Sequence, residues 1–94
     1  MPTFDTTAEF WRDYYALTPA RRELFDRMVK KFVTDLSAGR FRKELRVKGF
    51  RGREGEYEVT WAPDGRATFR YGPPRREGDP HVIWLRCGTH DIFE

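Results

Sequence analysis

Apolar positions recur along this chain first with a helical spacing and later with a period of two. Phe10, Trp11, Tyr14 and Leu17 fall at i, i+1, i+4 and i+7, one stripe of an amphipathic helix. Thr6 or Thr7 can cap its start, and Thr3 to Thr6 suits a short strand before it. Thr18-Pro19 reads as an N-cap followed by proline at the first helical position, where the missing N–H costs nothing. The second helix runs to about Ala38. Phe25, Met28, Val29, Phe32 and Leu36 form its buried face, Lys30, Lys31 and Asp35 face water, and Gly39 stops it. The connection is only a few residues, which predicts an antiparallel helix hairpin.

From Glu56 the period becomes two. Tyr57, Val59 and Trp61 alternate with Glu56, Glu58 and Thr60. Ala62-Pro63-Asp64-Gly65 is a turn in which proline presets one corner and glycine takes the left-handed one. Ala67, Phe69 and Tyr71 then alternate with Arg66, Thr68 and Arg70. A loop of Pro63 to Gly65 predicts Thr60 opposite Thr68, Glu58 opposite Arg70 and Val59 opposite Phe69. Gly72 to Pro80 reads as a long, polar, mobile loop. His81 to Cys87 is a third strand, with His81 at its start beside that loop. Its run Val82-Ile83-Trp84-Leu85 is apolar on both faces, as a central strand is. The expected fold is α+β: a single two-layer domain over residues 1–94, with an N-terminal helix hairpin packed on one face of an antiparallel β-meander. The opposite face should display Glu58, Thr60, Arg66, Thr68 and Arg70.

Composition changes this picture in two places. Cys87 is the only cysteine among 94 residues, so no internal disulfide and no cysteine-based zinc site is expected, and no cofactor or metal is implied. No apolar run approaches the roughly 18 residues of a membrane span. The N-terminus lacks a signal-peptide pattern, so a cytoplasmic protein without a membrane partner is expected. Charge is unevenly placed. The first 39 residues balance, and Arg40 to Arg53 holds seven basic residues against Glu44 alone, or +6, in a chain whose total is +3. Such a patch suggests a polyanionic partner, most often nucleic acid or an acidic protein. A run with a single acid should also repel itself unless something compensates it.

Three strings carry a family resemblance. Leu45-Arg46-Val47-Lys48-Gly49-Phe50-Arg51-Gly52, with Gly55-Glu56-Tyr57-Glu58-Val59, is similar to the basic loop and glycine-led strand of the RelE/ParE superfamily of bacterial toxins. Arg66-Ala67-Thr68-Phe69 resembles its arginine-led strand. Val82-Ile83-Trp84-Leu85 followed by Gly88-Thr89-His90-Asp91 resembles its last strand and terminal tail. The resemblance implies a RelE-like fold and a toxin neutralised by a cognate antitoxin. RelE-like members enter the ribosomal A site and cut mRNA; ParE-like members inhibit DNA gyrase instead. The arginines of the sheet and the terminal histidine favour the RelE-like activity. A catalytically degenerate module that binds RNA or antitoxin is the remaining alternative.

RNA cleavage through the 2′-hydroxyl needs a proton acceptor, positive charge over the phosphate and an acid for the 5′-oxygen. By resemblance Arg66 takes the phosphate role, for which a planar guanidinium is suited. His90 takes the proton-transfer role, its imidazole titrating at roughly 6.5 when unperturbed. Asp91 is its neighbour. Glu58 has two readings, a base on the outer face or an ion pair with Arg70, and Arg70 has the same two. Arg46, Lys48, Arg51 and Arg53 suit contacts to RNA backbone, in mRNA or the ribosome. Phe93 and Trp84 are candidates to stack on bases, Trp84 being better explained as core. Cys87 reads as a small buried hydrophobe. The chain has Glu58 and Thr60 where some RelE-like toxins have lysines, and Phe93 near the end where many have tyrosine.

Overall fold

Thr7 opens the first helix and ties it to the sheet. Its hydroxyl accepts the Phe10 N–H at 3.1 Å and donates to the Leu85 carbonyl at 2.8 Å. One side chain thus caps α1 (Ala8–Ala16) and fixes where it sits. Thr18 caps α2 (Pro19–Ala38) through the Arg21 N–H, with Pro19 in the first turn. Gly39 ends α2 at φ 80°, a left-handed geometry that glycine adopts without strain. The structure, a computed structural model, describes residues 2–93 apart from the side chain of Phe93.

Strands β1 (Thr3–Thr6), β2 (Lys48–Gly49), β3 (Glu56–Thr60), β4 (Gly65–Arg76) and β5 (Asp79–Thr89) form one sheet in the order β1-β5-β4-β3-β2. The pairs β2–β3, β3–β4 and β4–β5 are antiparallel, so the expected meander is the centre of the sheet. β1 adds at one edge, parallel to β5. Lying between β1 and β4, β5 is interior, which explains its apolar run. The inner face packs on the helices. The Phe32 ring stands 5.0 Å from those of both Phe69 and Trp84, and Phe25 lies 5.9 Å from Trp84. Trp84 is therefore core. Cys87 is fully buried, and that burial pushes its thiol up to about 12, which leaves it an unreactive hydrophobe.

Four expectations are corrected. Asp35 does not face water; it is buried at the end of α2, where it accepts the backbone N–H and two guanidinium N–H groups of Arg42 at 2.8–2.9 Å. Gly72 to Pro80 is no loop. β4 continues to Arg76, and the chain reverses at Glu77-Gly78, where Gly78 adopts φ 83°. Pro73 and Pro74 fall in an irregular stretch between the pairs Gly72–His81 and Arg76–Asp79, where no ladder N–H is required of them. His81 is buried, not a loop-side residue: it bonds Thr3 and Asp5 of β1. The β3–β4 register is displaced by two residues, pairing Thr60 with Arg66, Glu58 with Thr68 and Val59 with Ala67. The cause is Trp61. Its indole lies over Gly65, where a Cβ would come within 2.6 Å of the ring, and donates to the Arg66 carbonyl at 2.9 Å. Trp61 therefore joins the loop, which lengthens to five residues between Thr60 and Arg66. A shift of two keeps each side chain on its expected face.

Candidate functional site

The β3–β4 hairpin and the end of β5 meet at one end of the sheet. Gly65 pairs with Thr89 and Arg66 with Gly88, so the chain leaves β5 beside Arg66 and enters a terminal 3-10 turn over His90–Phe93. Gly88 permits the turn to fold back, since a Cβ there would stand 2.7 Å from Ile92. The backbone thus brings Arg66 and His90 to the same end of the molecule. His90 and Asp91 are exposed. The Phe93 side chain lies outside the described residues.

Arg66 has a local task. Its Nη1 donates to the carbonyls of Ala62, Pro63 and Gly65 at 3.3, 3.2 and 2.9 Å. One corner of the guanidinium thus staples the turn, and the side chain is held in one orientation. Glu58 does not pair with Arg70. It stands opposite Thr68 on one side and Lys48 on the other, and bonds Lys48 at 3.3 Å. Arg70, opposite Glu56 and Ile83, is exposed and makes no ion pair among the described residues.

The outer face is less open than expected. Thr68 is buried, because the loop after β2 and the terminal turn rise over it. Between them lies a cleft of about 550 Å³, lined by Arg51, Arg53, Glu56, Thr68, Arg86 and Ile92 among others. Arg51 and Arg53 therefore share a cavity with a third cation, Arg86. Asp13 of α1 holds Arg86 through bonds of 2.6 and 3.1 Å and also accepts the Cys87 N–H at 3.2 Å. That hydrogen-bonded carboxylate raises the affinity of the guanidinium for its proton. Sequence reasoning missed Arg86. The available signal was a lone charge in the apolar run from Val82 to Cys87.

The basic run is compensated from outside itself. Arg42 is neutralised by Asp35, Lys48 by Glu58, and Arg53 stands 3.9 Å from Glu56. Hydrogen bonds from Arg42 hold the Asp35 carboxyl well below its ordinary value, at about 2. Arg40, Lys43, Arg46 and Arg51 make no ion pair among the described residues, so four of the seven cations stay available. Arg46 lies apart from the outer cleft, in a second depression with Arg66. The site thus has two basins. Arg51, Arg53 and Arg86 line one, Arg46 and Arg66 the other, and Glu58 and Lys48 form a paired group on the strands of the sheet.

No protein-family model matches the sequence, and no curated protein is similar to it in sequence. Solved structures are similar in shape. A chain of the E. coli DinJ–YafQ toxin–antitoxin complex has a TM-score of 0.72 at 10% identity, covering 97% of this chain and 94% of its own. The YoeB/ParE toxin from Agrobacterium tumefaciens gives 0.68 at 17% identity, with 94% and 98% covered. A chain of the RelB–RelE antitoxin–toxin complex from Methanococcus jannaschii gives 0.62 at 13%, with 95% and 93% covered. The chain therefore shares the fold of these solved structures over nearly its whole length, two helices on a five-stranded mixed sheet.

Proposed function

We propose that this protein is the toxin of a type II toxin–antitoxin pair, acting in the cytoplasm as a ribosome-dependent endoribonuclease on mRNA and held inactive by a cognate antitoxin. The observation that carries the reading is the pairing of Gly65 with Thr89 and Arg66 with Gly88, which sets the arginine-led strand beside the turn that begins at His90. The fold shared with YafQ, YoeB/ParE and RelE complexes supports it.

In this mechanism the ribose 2′-oxygen attacks the adjacent phosphorus as its proton passes to a base. The 5′-oxygen leaves with a proton, and a 2′,3′-cyclic phosphate remains. His90, an exposed imidazole, serves the proton transfer. Arg66 has one nitrogen tied to the turn carbonyls, so its guanidinium is already oriented and can stabilise the pentacovalent phosphate. Arg70 and Arg51 add positive charge. Glu58, salt-bridged to Lys48, is a carboxylate placed to assist as base. The 2′-hydroxyl requirement makes RNA, and not DNA, the substrate.

The test is induction of the protein followed by mapping of mRNA 5′ ends on translating ribosomes. New ends within coding sequence are expected, and His90→Ala should remove both them and the growth arrest. Intact transcripts during growth arrest would overturn the nuclease reading. A ParE-like gyrase inhibitor would then be indicated by loss of supercoiling activity with purified gyrase.

A further inference from the structure

Between α2, the short 3-10 turn at Lys43–Leu45 and the β3–β4 hairpin lies a depression of about 380 Å³. Arg27 and Lys31 enter it from α2, one turn apart on one helix face, and Arg46 and Arg66 enter from the opposite walls. Thr60 also lines it, and Glu44 is the one acid on its wall among the described residues. None of Arg51, Arg53 and Arg86 takes part, so this basin is separate from the outer cleft.

Arg46 is the telling residue. It has φ 49°, and among the described residues it is the one non-glycine in the left-handed region. A side chain other than glycine or asparagine is disfavoured there, at a cost of about 1 kcal/mol or more. The buried Leu45 before it and the bond from its N–H to the Lys43 carbonyl at 3.0 Å hold it in place. Nothing folds the arginine side chain back in return: it makes no ion pair among the described residues. Arg66 spends Nη1 on the turn carbonyls. Arg27 and Lys31 are each paired, to Glu23 at 2.6 Å and Glu44 at 3.2 Å. The basin therefore has positive charge in excess, fixed from three separate elements.

We propose that this basin is a phosphate-binding subsite, formed by Arg46 and Arg66 with Lys31 and Arg27 behind them. Four cations lining one depression suit an anion with several oxygens, and guanidinium forks suit phosphate. The RNA backbone supplies that anion, an assignment that rests on the function proposed above. The subsite extends the RNA path from the sheet onto α2, a helix otherwise concerned with the core. Arg46 acts in binding, and Arg66 is shared with the chemistry proposed at the end of the sheet.

The experiment uses a single-stranded RNA with 2′-O-methyl riboses, which cannot be cleaved by the 2′-hydroxyl route, and inorganic pyrophosphate. Arg46→Gly relieves the backbone strain while removing the cation. Its melting temperature should equal or exceed that of the wild type, while affinity for the RNA falls about tenfold and the salt slope loses about one unit. Pyrophosphate should raise the melting temperature of the wild type and not that of Arg46→Gly. Lys31→Gln should weaken RNA binding severalfold. Unchanged RNA affinity in Arg46→Gly would overturn the subsite, as would a wild type whose melting temperature ignores pyrophosphate. Displacement of the RNA by polyglutamate as effectively as by pyrophosphate would also overturn it, and point to an acidic protein. Binding with these properties in a protein that leaves mRNA intact would keep the subsite and remove the nuclease.

Discussion

At one edge of the sheet β1 pairs with β5 over four residues and is pinned by a buried imidazole; at the other, β2 pairs with β3 over two. His81, only 3% exposed, lies 2.7 Å from the Thr3 hydroxyl through Nδ1 and 3.0 Å from Asp5 through Nε2, and Arg75 closes on the same carboxylate. Gly72 makes room for that imidazole, since a Cβ there would approach it within 2.9 Å. The β2 edge, Lys48–Gly49, is itself exposed. It depends on the Lys48–Glu58 pair, whose lysine is mostly exposed, and on backbone bonds of the following loop such as Phe50 N–H to the Glu56 carbonyl at 2.7 Å. The first edge is held by hydrogen bonds to a buried imidazole, which salt screens less. The second is held by charge that salt screens well. The cations proposed to bind RNA lie with the second, where ion pairs would exchange for phosphate if RNA binds as proposed.

The contrast fails if both edges lose their common floor. Phe32 stands against Phe69 and Trp84 and is 1% exposed, so Phe32→Ala should cost about 3–5 kcal/mol and loosen both edges together. Urea unfolding would show it as a lowered midpoint in one transition. His81→Ala should separate the edges. Removing the imidazole leaves Thr3 and Asp5 without their buried partner, at about 2–3 kcal/mol. Hydrogen exchange should then quicken in β1 and its β5 partners while β3 stays protected. Equal acceleration in β3 would mean that the imidazole supports the whole sheet and not one edge.

Much of the fold was legible because its signals are local. Thr18-Pro19 and Gly39 mark the ends of α2 through caps that involve neighbouring backbone, and the period-two run from Glu56 marks β3. What was not legible depends on side chains reaching across the chain. The Trp61 indole over Gly65 changes a three-residue loop into one of five, and composition cannot tell these apart. Gly72-Pro73-Pro74 looks like a loop until the turn at Glu77-Gly78 and the Asp5–Arg75 bond show a strand. The candidate site divides in the same way. Arg66 and His90 are candidates that motifs suggest, whereas Arg86, Arg27 and Lys31 come to the candidate basins only through the packing of α1 and α2. Counting charges within Arg40 to Arg53 overstated its self-repulsion, because Asp35, Glu56 and Glu58 answer it from other elements.

Acid should act selectively on the anchor of the basic run. Asp35 has its folded value lowered from 3.8 to about 2 by the hydrogen bonds of Arg42. A depressed carboxylate binds fewer protons folded than unfolded, so its contribution is whole above the ordinary value and is lost as pH falls toward the folded one. Wild-type melting temperature should therefore carry an Asp35-dependent decline between about pH 4 and pH 2. Asp35→Asn should melt lower than wild type at neutral pH, and the difference should narrow across that window. A difference that stays constant down to pH 2 would show that Asp35 acts through packing and not through its charge.

The smallest effect is expected at Lys48. It pairs with Glu58 at 3.3 Å, but the lysine is largely in water, so Lys48→Ala should cost under about 1 kcal/mol. That cost should shrink further in high salt, while the cost of His81→Ala should hardly change, and comparing the two in low and high salt tests the difference between the edges directly. Function should respond in the opposite order. Lys48→Ala releases Glu58 as an uncompensated carboxylate on the strand facing Thr68, which should weaken RNA binding more than loss of one phosphate contact explains. A double variant, Lys48→Ala with Glu58→Gln, should then recover part of the affinity. If it binds no better than Lys48→Ala alone, the lysine contributes only its own charge, and the weakly held edge owes its function to the loop beyond it.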